Sequence, residues 1–439
     1  MMSGMNIPRR IAADIRDRIA HGVLQPGDPV ESTRALAARL GCSRGTVVTA
    51  YDQLIAEGYL VAETGSGTRI NPDLATLHPA SSSSTRTATA SAPPEKMIRL
   101  TPGAPDTTGL ITPAWRAAWR EAAAVPQEPT PAAGSVDLRA EIASHLRHMR
   151  GVMVDPARIV VTAGAREGLG MLLQALGQGL RIGVESPGYP SLRKVPRTLG
   201  HTLVEVPVDA SGMTEPTKQL DAVIVTPSHQ YPSGGSMHAK RRTQLVQWAR
   251  REGALIIEDD FDSELRYVGQ PLPALSALAP DSAVLLGTFS SVLSPALSCG
   301  YLVVPGRLVE RVTTMRTIFG QPVSAITQAA LAHYLASGDA RRHTGSIRRA
   351  YKRRRNVVTQ RLSDVPGLEL IPIVGGLHAV IRCSDDIIDR ARDLGVDLTP
   401  LRDYWGGAQA AEGAVIGFGH LDDETLARAL DVIVEAAGA

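Results

Sequence analysis

The sequence predicts a two-part chain: a small α+β module of three helices and a hairpin, then a large α/β module that ends in a smaller α+β tail. Three observations carry this. From residue 97 onward short apolar runs alternate with helical stretches, as in a mostly parallel sheet covered on both faces. The residues before 70 alternate helical patterns with short turns and close on two strand-like runs. Between them lies "HPASSSSTRTATASAPP", rich in Ser, Thr, Ala and Pro, which cannot bury enough apolar surface to fold. The expected boundaries are 1–70, a flexible linker over 71–96, and 97–439.

Composition bounds the function. A chain of 439 residues exceeds one ordinary domain, and 44% hydrophobic residues suffice for a sizeable core. A net charge of +2 means that any nucleic-acid contact must come from a local patch. Cys42, Cys299 and Cys383 are scattered and form no CxxC pair, which argues against disulfides and a zinc site and fits a reducing cytoplasm. "MMSGMNIPRR" has no apolar core and no run approaches 18 apolar residues, so neither secretion nor a membrane span is expected.

In the first module, Ile7 to His21 places Ile7, Ile11, Ile15 and Ile19 on one helical stripe. "QPGDPV" is a turn, and Ser32 to Leu40 reads as a second helix capped by Ser32 or Thr33. "GCS" breaks the chain, and Ser43 caps a third helix through Glu57. "YLVAETGSGTRI" is a hairpin about Gly65-Ser66-Gly67. Helix, turn, helix and hairpin make a winged helix-turn-helix, whose partner is double-stranded DNA. Ser43, Arg44 and Thr46 lie on the first turn of the recognition helix, where side chains and N–H groups reach phosphates and base edges. Arg34 would reach the flanking backbone, and Gly65, Gly67 and Arg69 form the wing. A winged helix used for protein contacts is the alternative.

The stretch "IRDRIAHGVLQPGDPVESTRALAARLGCSRGTVVTAYDQLIAEGYLVAETGSGTRI" resembles the DNA-binding domain of the GntR family of bacterial transcription regulators. The resemblance implies that Arg34, Ser43, Arg44, Thr46 and the wing glycines face DNA. Glu31, where the family more often has proline, puts an acid near the phosphate backbone.

In the large module the runs "RIVVTAG", "RIGVES", "DAVIVTP", "ALIIED" and "AVLLGTF" read as strands, with helices such as Glu167 to Leu176 and Ala239 to Arg251 between them. On such sheets ligands sit at the carboxyl ends of the strands. A long helical stretch follows Ile326, then "GLELIPIVGGLHAVIRC", "VDLTPL" and "GAVIGFG". "TAGAREGL", "VESPGYPSLR", "TPSHQYPSG", "IIEDDFDSELRY", "GTFSSVLSPALSCGYL" and "GGLHAVI" resemble, in order and spacing, the fold-type I aminotransferase domain fused to GntR modules in the MocR subfamily. The resemblance implies a pyridoxal phosphate site and a homodimer, because sites of this fold are built at a subunit interface.

Part of that site is present. Gly164, Ala165 and Arg166 open a helix whose N–H groups can take an anion. Tyr189 matches the aromatic that stacks on the cofactor ring, and Asp259 the acid that pairs with its nitrogen. Ser290 precedes Ser291, which stands where the Schiff-base lysine belongs. Ser298 stands for the arginine under the phosphate, Phe261 for a tyrosine whose hydroxyl is lost, and Pro129 for a tyrosine that reaches the partner's phosphate. A hydroxyl at residue 291 cannot condense with an aldehyde. The missing charged and phenolic bonds leave a deficit on the order of 3–5 kcal/mol for non-covalent binding.

Pyridoxal phosphate is therefore not expected to be held covalently. Only Lys96, Lys194, Lys218, Lys240 and Lys352 could supply another amine, and Lys194 is nearest in sequence to a pocket motif. His229 and Tyr231 are further candidate ligand contacts, His229 against the plainer reading of a hydrogen-bonded loop residue. The leading expectation is a catalytically inactive domain that serves effector sensing and dimerisation in a DNA-binding regulator. Two others stand beside it: a regulator that holds pyridoxal phosphate non-covalently through Asp259, Tyr189 and the Gly164 loop, and an enzyme of altered chemistry at Ser291 or Cys299. "RRHTGSIRRAYKRRR" reads as the solvated face of a long helix, with a nucleic-acid surface as the other possibility.

Overall fold

The computed structural model describes residues 7–63, 67–74, 97–125, 128–269, 273–406 and 411–438. The chain divides into two compact units, Met1–Pro93 and Pro94–Ala439.

The first unit packs α1 (Ile7–Ala20), α2 (Thr33–Leu40) and α3 (Arg44–Ala56) beside a hairpin of β1 (Leu60–Glu63) and β2 (Gly67–Ile70). Ile11, Ile15 and Ile19 are buried among Leu36, Val47, Tyr51, Leu54 and Ile70. Ile7, at the start of the helix, is 51% exposed, so the apolar stripe enters the core only at Ile11. Ser32 and Ser43 each cap a helix by accepting a backbone N–H, from Ala35 and Thr46 respectively. Asn71 to Leu74 belong to this unit and not to a linker. Asn71 donates through N to the Tyr59 carbonyl and through Nδ2 to that of Gly58, and Leu74 packs on the core. The rest of the expected linker, 75–96, lies outside the described residues.

The second unit is built on an eight-stranded sheet. Its strands are β3 (Ile159–Thr162), β4 (Arg181–Ser186), β5 (Thr202–Asp209), β6 (Gly212–Met213), β7 (Ala222–Val225), β8 (Leu255–Asp260), β9 (Ala283–Thr288) and β10 (Gly300–Val303), in the order β3-β10-β9-β8-β7-β4-β5-β6. β9, β8, β7, β4 and β5 pair in parallel, while β10 runs antiparallel to both β9 and β3. The strands through the middle are buried and mostly apolar, as a sheet covered on both faces requires, except that β8 ends in Glu258, Asp259 and Asp260. Helices α4 (Ala165–Leu176), α5 (Pro190–Thr198) and α6 (Ala239–Glu252) fill the crossovers.

The long helix α7 (Asp339–Leu362) precedes the smaller part, whose four-stranded sheet pairs residues 369–370, 378–382, 414–417 and 399–400 antiparallel. α7 carries the arginine run. Arg354 is buried against Asp106 at 2.9 Å and Asp423 at 2.8 Å, and Arg342 pairs with Asp339 at 2.6 Å, so part of the run is structural. Among the described residues no helix is long and apolar enough to cross a membrane, and no cluster of His, Cys, Asp and Glu could hold a metal.

Candidate functional site

Two surfaces carry chemistry, one in each unit. In the first, the turn between α2 and α3 is set by Gly41 at φ 61°, the left-handed conformation that glycine adopts without strain. It presents the N-terminus of α3, with Arg34 and Arg44 exposed. Arg44 Nε donates to Thr33 Oγ1 at 3.3 Å, which holds its guanidinium beside the start of α2. Ser43 and Thr46 spend their hydroxyls on each other, 2.8 Å apart, so Ser43 acts first as the helix cap. Glu31 is paired with Arg39 at 3.1 Å and its charge is balanced locally. Arg69 of the wing pairs with Glu63 at 2.9 Å. Gly67 begins β2 exposed at φ 95°, and Gly65 lies outside the described residues.

In the second unit a cavity of about 290 Å³ opens where the carboxyl ends of the parallel strands meet. The loop after β3 brings Gly164, Ala165 and Arg166, and Gly164, at φ 93°, opens α4. Tyr189 arrives after β4, Tyr231 after β7, and Asp259 and Phe261 at the end of β8. Ser290 and Ser291 follow β9, and Ser298, at φ 43°, precedes β10. Every residue expected at the pocket lines this cavity except His229. That side chain is buried and turned to Asp262, 2.7 Å from Nδ1 to Oδ2, and stacks on Phe261 with centroids 6.1 Å apart. It is the hydrogen-bonded loop residue and not a wall of the cavity.

Pro102, Gly103, Thr288 and Pro295 also line the cavity, and no sequence expectation named them. Thr288 sits in the "GTFSS" motif and could have been found there; its Oγ1 accepts from Ser290 N at 3.1 Å. Pro102 and Gly103 come from the start of the unit and reach the site only through long-range folding.

The electrostatics of the floor are acidic. Asp259 is 3% exposed, and its Oδ1 has no hydrogen-bond partner among the described residues. Burial, then the charges of Asp260, Asp262, Glu185 and Glu258, push its carboxyl well above the usual range. Glu185 accepts from Thr226 N at 3.2 Å and from Thr226 Oγ1 at 2.5 Å, and burial still lifts it to about 7. The nearby arginines are committed: Arg150 to Asp260 at 3.1 Å, and Arg242 to the carbonyls of Met237, Pro273 and Pro227.

The rings form a continuous wall. Tyr189 meets Tyr231 edge-on with centroids 4.9 Å apart, and Tyr231 meets Phe261 in the same way at 5.6 Å. Tyr231 also packs on Tyr404, with ring centroids 5.4 Å apart.

The residues present do not fit covalently held pyridoxal phosphate. Among the described residues no lysine lines the cavity, and Lys194 is exposed on α5. Ser291 is buried and offers a hydroxyl, which cannot form a Schiff base. Cys299 is fully buried and burial pushes its thiol up to about 12, so it is inert packing.

A winged-helix unit joined to an aminotransferase-fold unit defines a class of transcription regulator. The comparisons agree. Residues 8–70 match the model of the bacterial regulatory proteins of the gntR family. The chain is 53% identical, over 98% of its length and 96% of the relative's, to the HTH-type pyridoxine biosynthesis transcriptional regulator PdxR of Corynebacterium glutamicum. It is 31% identical, over 98% of its length and 93% of the relative's, to the probable rhizopine catabolism regulatory protein MocR of Rhizobium meliloti. Among solved structures, an archaeal alanine:glyoxylate aminotransferase superposes with a TM-score of 0.72 at 22% identity, over 77% of this chain and 90% of that one. A multiple substrate aminotransferase from Thermococcus profundus gives 0.71 at 22% identity, over 79% and 92%. The chain therefore belongs to the GntR family of regulators, in its MocR-type group with an aminotransferase-like domain.

Proposed function

We propose that this protein is an operator-binding regulator whose aminotransferase-like unit senses a small molecule without catalysis or covalent attachment. Arg34, Arg44 and the wing at Gly67 supply the DNA contacts, with the α3 N-terminus, where Ser43 and Thr46 bond to each other, turned to phosphate. The observation that carries the sensing half is the cavity itself: it keeps ring-binding groups at Tyr189 and Asp259 and has Ser291 in place of an amine.

Nothing at Ser291 supports an enzyme of altered chemistry. A serine nucleophile needs an adjacent base within hydrogen-bond reach, and among the described residues no histidine lines the cavity beside Ser291. The unit also serves dimerisation in this reading, with Ile318 and Phe319, 69% and 64% exposed at the end of helix Gly306–Phe319, as part of the apolar face. The name of the Corynebacterium relative points to genes of pyridoxine biosynthesis as the first targets to test.

The experiment is selection of genomic fragments by the purified full-length protein, followed by sequencing. A small set of enriched fragments, lost with Arg44→Ala, is the expected result. No enrichment, or enrichment indifferent to that substitution, contradicts it.

A further inference from the structure

We propose that the cavity selects a phosphate-free nitrogen heteroaromatic, held through its ring nitrogen by Asp259 and flanked by Tyr189; this rests on the reading of the cavity as a sensor site. The deep end dictates the nitrogen. Asp259 lines the cavity with a carboxyl that is 3% exposed, and its Oδ1 has no partner among the described residues. A buried polar oxygen left unpaired is costly, so the complementary ligand brings a group that shares a proton with it. A ring nitrogen does so in either protonation state: as N–H donating to the carboxylate, or as acceptor from the carboxylic acid. One proton lies between the two atoms in both cases. Tyr189, Tyr231 and Phe261, which meet edge-on, line the same cavity and offer ring faces and edges to an aromatic ligand.

The rest of the lining dictates the missing phosphate. A phosphate dianion out of water needs charge-assisted partners. Ser298 and Ser291 carry no charge, and Ala165, at the first position of α4, brings no hydroxyl. Glu167 already occupies the first turn of α4, where it accepts from Ala163 N at 2.9 Å. It also pairs with Arg316, a buried guanidinium 2.8 Å away that does not line the cavity. Arg166 is the one cation lining the cavity among the described residues, and it is exposed to solvent. The Thr288 and Ser290 hydroxyls, 3.0 Å apart, suit neutral hydroxyl substituents.

The test is titration calorimetry on the full-length protein without DNA, with three aldehyde-free probes: pyridoxine, pyridoxine 5′-phosphate, and 3-hydroxybenzyl alcohol, which lacks the ring nitrogen. Pyridoxine is expected to bind at least about tenfold more tightly than either of the others. Asp259→Asn, which keeps the side-chain shape, is expected to weaken pyridoxine by about tenfold. Ser298→Arg is expected to move the preference toward the phosphate ester. The wild-type ranking needs no variant, so a misfolded mutant does not blunt the test. Equal or tighter binding of the ester or the nitrogen-free ring, or no binding of pyridoxine, overturns the proposal. In that last case a different molecule that alters operator binding would leave the sensor reading intact, whereas loss of operator selection itself would remove the reading beneath.

Discussion

At Glu185 two donors from Thr226 meet a carboxyl that burial lifts from 4.5 to about 7. The folded chain thus keeps a proton that the unfolded chain releases. Stability should fall as pH rises from 4.5 to about 7, by on the order of 3 kcal/mol from this group alone. Glu185→Gln removes that loss, so denaturant unfolding of the variant at pH 5 and pH 8 should differ less than for the wild type. An unchanged difference would place the pH dependence elsewhere, with Glu258, also raised to about 7, as the next group to test. In the first unit, Arg44→Ala should cost about 1–3 kcal/mol in operator affinity, read by mobility shift. Single residues were legible in the sequence where a motif named them: Ser291, Ser298 and Asp259 all line the cavity. His229 was not, because its partner Asp262 lies 33 positions away and no local pattern says which way the ring turns.

Elements were legible where period and punctuation agreed. Ser32, Gly41 and Ser43 bracket α2 and start α3 by capping chemistry that is local in the chain. The apolar runs placed β3, β4 and β7 to β9, because strands covered on both faces bury runs of apolar side chains; the acids of β4 and β8 fall toward their carboxyl ends. The sequence predicts a linker from residue 71, whereas Asn71 closes onto Gly58 and Tyr59, contacts set by the hairpin fold and not by the polar side chains of the stretch. The antiparallel insertion of β10 between β9 and β3 is equally non-local. It demands glycine at Gly287, where a Cβ would lie 2.1 Å from the Tyr301 ring. Gly287→Ala should therefore force Tyr301 aside and destabilise the large unit by roughly 1–3 kcal/mol, read as a lower unfolding midpoint. A neutral effect would mean that Tyr301 repacks without cost.

On the scale of the whole molecule, the separate cores of the two units predict separable unfolding. Leu54→Ala, at a fully buried position of the small unit, should lower the transition of that unit by about 2–5 kcal/mol and leave the other in place. Calorimetry that shows one transition moving as a whole would deny this independence. The account as a whole depends on a regulator that carries an aminotransferase fold and reads its ligand without a covalent bond. Its most direct test is the intact mass of the full-length protein after equimolar pyridoxal phosphate and borohydride. An unchanged mass is expected for the wild type and one added group at residue 291 for Ser291→Lys. Stoichiometric labelling of a single residue in the unaltered chain would contradict it.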